Sequence, residues 1–270
     1  MMTPLQMIFT LLPSFANASV AMRKIDNLSL PLLEKENNDK TSEPAVRRSW
    51  GPLRLSGVTH SYGGDNGSDG FVLGPVNLEI KAGELLFITG GNGSGKTTLA
   101  KLLLGLYVPD QGEIYLNGEL VTDERREEYR QHFSAVFSDF YLFRTFFGLD
   151  AGHLDRTAQD YLARLQLNHK VKIEDGVLST VELSQGQRKR LALLSAYLED
   201  RPIYVFDEWA ADQDPLFKEI FYFQLLPELK RRGKAVVVIS HDDRYYSVAD
   251  RVIKLDYGKV QPEIKTTAAT

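Results

Sequence analysis

The chain has 270 residues, 43% of them apolar and 25% charged, which is enough for one large α/β domain with a sizeable core. Its net charge of −4 gives no electrostatic support to a nucleic-acid partner. It has no cysteine, which excludes disulfides and thiolate metal sites and fits a cytosolic compartment.

Met1 to Met22 carries no charge, and the first ionisable side chains are Arg23 and Lys24. A secretory signal places its positive residues before the apolar run, so this order argues against one. Pro4, Gln6, Pro13, Ser14 and Asn17 make a poor free-standing membrane span. Residues 1–25 therefore read as the end of a last membrane helix leaving for the cytoplasm, with its predecessors missing from this chain, or as an amphipathic tail. Residues 26–51 read as a polar linker, 52–262 as a nucleotide-binding domain and 263–270 as a tail. No internal repeat is visible.

A strand pattern runs through Leu55-Ser-Gly-Val-Thr-His-Ser and ends at Tyr62. Gly63–Gly70, rich in Gly, Asp, Asn and Ser, reads as a flexible loop whose spacing matches no calcium loop. Glu84-Leu-Leu-Phe-Ile-Thr is a buried-strand pattern, and it runs into Gly90-Gly91-Asn92-Gly93-Ser94-Gly95-Lys96-Thr97-Thr98. Leu99, Leu102, Leu103 and Leu106 then follow at helical spacing. Strand, glycine-rich G-x-x-x-x-G-K-[ST] loop and helix together form the context of a phosphate-binding loop. Its N–H groups and the helix N-terminus favour an anion. In that motif Lys96 reaches the β- and γ-phosphates and the Thr97 hydroxyl ligates Mg²⁺. The strand patterns before and after the loop are assigned to a parallel core.

Residues from about 122 to 200 read as a helical subdomain. Asp123–Arg130 is charged all round, and Thr157–Leu167 is amphipathic. Phe137, Phe140, Tyr141, Phe143, Phe146 and Phe147 crowd one segment. They suit either a subdomain core or an aromatic groove for a membrane-domain helix. Leu183-Ser184-Gln185-Gly186-Gln187 opens a further helix. Ile203–Phe206 is a strand closed by Asp207 and Glu208. Asp207 suits the Mg²⁺ site, and Glu208 can act as general base toward the attacking water. Ala235–Ile239 is another buried strand, followed by Ser240 and His241. At that edge of a parallel sheet His241 is placed to meet a γ-phosphate.

With these motifs in order, residues 52–260 resemble the nucleotide-binding domain of ABC transporters. Phe133–Phe143, Leu183–Ala192 and Phe206–Pro215 are similar to the branch that exports cyclic peptides and pyoverdine-type siderophore precursors. The resemblance implies an α/β P-loop NTPase of ABC type, with a mostly parallel sheet core, antiparallel strands and a helical signature subdomain. It implies Mg·ATP hydrolysis in a head-to-tail homodimer, in which Leu183, Ser184, Gln185, Gly186 and Gln187 cap the partner's ATP in trans. It assigns Tyr62 to adenine stacking, Asp214 to a partner-contact loop, His241 to a switch histidine and Ser138 to the coupling loop. It further implies a membrane-spanning export domain on the same polypeptide and a location on the cytoplasmic face of the bacterial inner membrane.

Three residues depart from the family pattern. The first Gly of the signature is Gln185, the loop before Asp214 lacks Ser-Ala-Leu, and Ser138 stands where a γ-phosphate-sensing Gln is expected. These departures lend some support to a rival function, a regulatory nucleotide-binding module that dimerises on ATP with little turnover. Glu208 and His241 argue against that rival. The absence of a long heptad insertion excludes a DNA-repair ATPase.

Overall fold

The computed structural model describes residues 50–62, 70–146 and 151–261. The expectations for the N-terminal segment, most of the linker, the loop 63–69, Phe147 and the C-terminal tail lie outside these residues. Among the described residues no helix is long and apolar enough to cross a membrane.

Two sheets frame the domain. β1 (Leu53–Ser61) and β2 (Val72–Ile80) pair antiparallel and lead to β3 (Leu85–Gly90), which runs into helix α1 (Lys96–Leu103). β4 (Gln111–Leu116) and β5 (Glu119–Leu120) complete a four-stranded antiparallel sheet of order β2-β1-β4-β5. Next come α2 (Arg126–Arg130), β6 (Phe133–Val136), α3 (Ala151–Arg164), the small β7 (Ile173–Glu174) and β8 (Val177–Leu178) hairpin, and α4 (Gln185–Glu199). The chain ends with β9 (Ile203–Asp207), α5 (Pro215–Ile220), α6 (Leu226–Arg231), β10 (Ala235–Ile239), β11 (Arg251–Asp256) and β12 (Lys259–Val260).

The second sheet has the order β12-β11-β3-β10-β9-β6, parallel except for β12. Its central strands are near-continuous apolar runs because both faces are covered. The pleat sends alternate side chains to opposite faces. Leu85, Phe87, Tyr204, Phe206, Val236 and Val238 join one core with the residues of α3 and α4. Leu86, Ile88, Ile203, Val205, Val237 and Ile239 join a second core with α1 and the antiparallel sheet. One strand set thus welds the two halves together.

Several local expectations need correction. Phe133–Val136, inside the stretch read as helical, is a strand paired parallel with β9. The strand after the phosphate loop, β4, belongs to the antiparallel sheet and not to the parallel core. Helix α1 stops at Leu103, because Gly105 adopts φ 67 and turns the chain, leaving Leu106 51% exposed. Trp50, assigned to the linker, is buried in the second core, so the domain begins at least two residues earlier than expected. Of the crowded aromatics, Phe140 and Phe146 pack against the first core and Phe137 against the second, whereas Tyr141 and Phe143 are exposed.

Candidate active site

The site lies at the carboxyl ends of β3, β9 and β10, where open α/β sheets bind ligands. β10 pairs with both others, placing Ile239 beside Ile88 on one side and Asp207 on the other. Three loops that are remote in sequence are therefore neighbours.

The loop after β3 is shaped by glycine. Gly90 has φ 148, and a Cβ there would fall 2.2 Å from the Leu255 carbonyl oxygen. At Gly95, φ 102, a Cβ would press on Phe71 and Leu73. The Lys96 ammonium donates to the carbonyls of Gly90 at 3.0 Å and Gly91 at 2.9 Å. Burial lowers the Lys96 pKa below the ordinary lysine value, and the Glu208 and Asp207 carboxylates pull it back up. These two carbonyls are neutral acceptors, so an incoming phosphate would outcompete them.

Asp207 closes β9 and is buried. Its Oδ2 accepts from the Thr97 hydroxyl at 2.8 Å, while Oδ1 is buried with no hydrogen-bond partner. Burial raises the pKa of this carboxyl, opposed by the Thr97 bond. An unsatisfied carboxylate oxygen beside a hydroxyl is a hard-oxygen donor pair, which fits Mg²⁺ keeping several waters. Thr97 and Asp207 would hold it. Among the described residues no group of three acidic or imidazole side chains forms a separate metal cluster.

Glu208 sits one residue beyond the strand in a left-handed conformation, φ 52, that costs roughly 1–2 kcal/mol for a non-glycine. Its N–H donates to the Ile239 carbonyl at 3.1 Å, anchoring it to β10. Its Oε1 is 2.7 Å from His241 Nε2. A carboxylate only accepts, so the imidazole proton of this pair sits on Nε2. Both side chains are partly exposed.

A cleft of about 430 Å³ is lined by Tyr62, Phe71, Asn92, Gly93, Gly95, Lys96, Thr97, Thr98 and Glu208. The Tyr62 hydroxyl is 3.3 Å from Thr98 Oγ1, and its ring is steadied edge-on by His60 at 5.2 Å and Tyr107 at 6.2 Å. Tyr62, Gly90–Thr98, Asp207, Glu208 and His241 are thus brought together. Phe71 was missed, since a single Phe after a glycine-rich stretch carries no sequence signal.

Leu183–Gln187 contributes no residue to that cleft. Ser184 caps α4 through a capping box with Gln187, bonded at 3.4 and 3.3 Å. Gln185 donates to Asp212 at 3.3 Å, and the Gly186 carbonyl accepts from Gln213 at 3.1 Å. Asp214 caps α5 by accepting from Phe217 N–H at 2.9 Å, and it pairs with Arg190. Its carboxylate is therefore occupied within its own chain, and the side chain is half-exposed. Ser138 is exposed on the turn after β6.

Comparison with known proteins agrees with this arrangement. The family model described as ABC transporter matches residues 73–211. The ATP-binding protein SyrD of Pseudomonas syringae pv. syringae is 48% identical over 273 residues, an alignment covering 98% of this chain and 48% of SyrD. An ATP-dependent lipid A-core flippase of Dechloromonas aromatica (strain RCB) is 32% identical over 244 residues, 86% of this chain and 41% of the flippase. Among solved structures, the dimeric structure of MJ0796, a bacterial ABC transporter cassette, matches with a TM-score of 0.67 at 27% identity, covering 79% of this chain and 98% of that one. A post-hydrolysis dimer of the same cassette, bound to ADP and Pi, matches with a TM-score of 0.66. The chain spans about half the length of the curated relatives it matches.

Proposed function

The chain belongs to the ABC transporter family as an ATPase domain, and from that premise we propose that it powers export of a cyclic peptide or siderophore precursor across the bacterial inner membrane, working from the cytoplasmic face. The observation that carries the ATPase half is the convergence of Lys96, Thr97, Asp207, Glu208 and His241 at adjoining strand ends. The exporter half rests on the relatives, several of which are named as flippases or transporters.

The chemistry follows from the residues present. Loop amides and Lys96 bind the β- and γ-phosphates and oppose the charge that develops on them. Mg²⁺, where Thr97 and Asp207 hold it, supplies further neutralisation of phosphate charge. Glu208 takes the proton of the attacking water, and His241, bonded to Glu208, orients that carboxylate and faces the γ-phosphate. The cleft lining of one chain includes no signature residue, which supports closure by the signature residues Ser184–Gln187 of a second copy, head to tail. At the Ser184 end of α4 the capping box occupies the Ser184 and Gln187 amides, and the helix dipole favours a phosphate there.

A second surface supports a membrane-domain partner. A groove of about 350 Å³ runs between β6 and α4, lined by Phe140, Tyr141, Phe143, Phe146, Ala192 and Ser195 among others. Tyr141 and Phe143 stand 76% and 62% exposed at its edge. Ser138 precedes this groove, and we assign it to the coupling loop.

Tyr62 is proposed as the adenine platform. Tyr62→Ala should weaken ATP binding by roughly 5- to 150-fold, since base–aromatic stacking is worth about 1–3 kcal/mol. Calorimetry with ATP and with tripolyphosphate separates the effects: only ATP should weaken. Equal weakening of both, or of neither, removes Tyr62 from that role.

The export reading is tested in cells. Deleting the gene should raise intracellular cyclic peptide or siderophore precursor and lower it outside. The whole reading frame containing this chain should restore export, and the same frame carrying Lys96→Ala should not. Unchanged distribution of both compounds would overturn the cargo proposal while leaving the ATPase assignment standing.

A further inference from the structure

Lys189 lies on the second turn of α4, and its side chain is 2% exposed. Its ammonium is paired with Asp212 Oδ2 at 2.6 Å and donates to the Glu208 carbonyl at 3.4 Å. Its own carbonyl accepts from the Trp209 indole N–H at 2.8 Å. One residue therefore holds three members of the loop 208–212. It ranks among the largest fully buried side chains of the described residues.

Burying an ammonium is costly, and an apolar side chain of similar length would pack there more cheaply. What an apolar residue could not supply is a charged donor at the back of Glu208. That residue holds a left-handed backbone, φ 52, which relaxes unless its surroundings determine it. Three groups do so: the Ile239 carbonyl, the Ala211 N–H at 3.2 Å and the Lys189 ammonium. The first two are backbone contacts available to any sequence. The third comes from the signature helix, whose N-terminus is tied to the same loop through Gln185–Asp212 and to the residue after it through Gly186–Gln213.

We propose that Lys189 is a positioning residue, whose buried ammonium holds the Glu208 backbone so that the carboxylate points at His241 and the nucleotide cleft. It makes the signature helix and the general base one mechanical unit. A shift of that helix, on meeting a partner's nucleotide, is transmitted to the base of its own site. This rests on the reading of Glu208 as general base, and the test separates the two.

The test is a double-mutant cycle on the full chain. Lys189→Met should lower kcat by roughly 10- to 100-fold, the loss expected for a misplacement of about 1 Å. ATP affinity should stay within about twofold, because the hydrogen bonds and ion pair of Lys189 reach the cleft lining only at the Glu208 backbone. In a Glu208→Gln background the same substitution should cause no further loss of the residual single-turnover rate. If Lys189→Met does not fold, Lys189→Gln enters the same cycle. Equal proportional loss in both backgrounds, ATP affinity falling in step with kcat, or an unchanged kcat would overturn the positioning role. Wild-type turnover in Glu208→Gln itself would instead overturn the general-base reading.

Discussion

Lys96→Ala is expected to abolish measurable ATP hydrolysis and to weaken ATP binding. Removing one preorganised donor from a developing oxyanion typically costs about 10²- to 10³-fold in kcat, and Lys96 carries a full charge as well. The structure adds a second reason. The ammonium is buried close to Asp207 and Glu208, and both carboxylates act on it. Without it, two carboxylates face an incoming triphosphate uncompensated, so repulsion adds to the lost attraction. Arg should not rescue. Its planar fork cannot replace a compact ammonium that bonds the Gly90 and Gly91 carbonyls inside a closed loop. Phosphate release by the purified variant is the measurement, and wild-type turnover would remove the loop from the mechanism.

How much of this was legible beforehand follows from the range of each interaction. Gly90–Thr98, Asp207, Glu208 and His241 were readable because each lies where an apolar strand pattern meets a short polar loop. A parallel sheet then brings such strand ends to one edge without any further signal. The register that joins them, Ile239 to Ile88 and to Asp207, is a property of pairing and has no local trace. Phe133–Val136 failed for that reason: four residues, Phe-Ser-Ala-Val, become a strand because β9 is there to pair with. Leu106 misled because the spacing of apolar residues continued past the point where Gly105 turned the chain. Asp214, assigned by resemblance to a partner-contact loop, also caps α5 and pairs with Arg190 within its own chain. Lys189 was hidden most completely. In Gln187-Arg-Lys-Arg it looks like one charge on a solvated helix face, and only its contacts with the loop 208–212 reveal a buried cation.

Glu208→Gln should retain Mg·ATP binding, nearly stop hydrolysis and expose the dimer. Gln is isosteric, and its carbonyl oxygen can still accept from His241 Nε2, now 2.7 Å away, so the geometry of the pair should persist. What is lost is a group able to take the water's proton, an effect typically worth about 10²- to 10⁴-fold. Binding should survive because phosphate recognition rests on the loop amides, Lys96 and Thr97, none of which depends on the Glu208 charge. Neutralising that carboxylate also removes repulsion against the γ-phosphate, which favours an ATP-bound sandwich of two chains. On the proposed shared-site mechanism the wild-type specific activity should rise with protein concentration, since the cleft lining of one chain includes none of Ser184–Gln187. Sedimentation with saturating Mg·ATP should then show the Gln variant as a dimer and nucleotide-free protein as a monomer. A variant that stays monomeric, alongside wild-type activity independent of concentration, would sink the shared-site mechanism. The rival reading predicts something different again: a regulatory module would dimerise on ATP in wild-type form, turn over slowly and lose little on substitution of Glu208. The ratio of wild-type to Glu208→Gln turnover under dimer-forming conditions therefore discriminates between an export motor and a nucleotide-gated dimeriser.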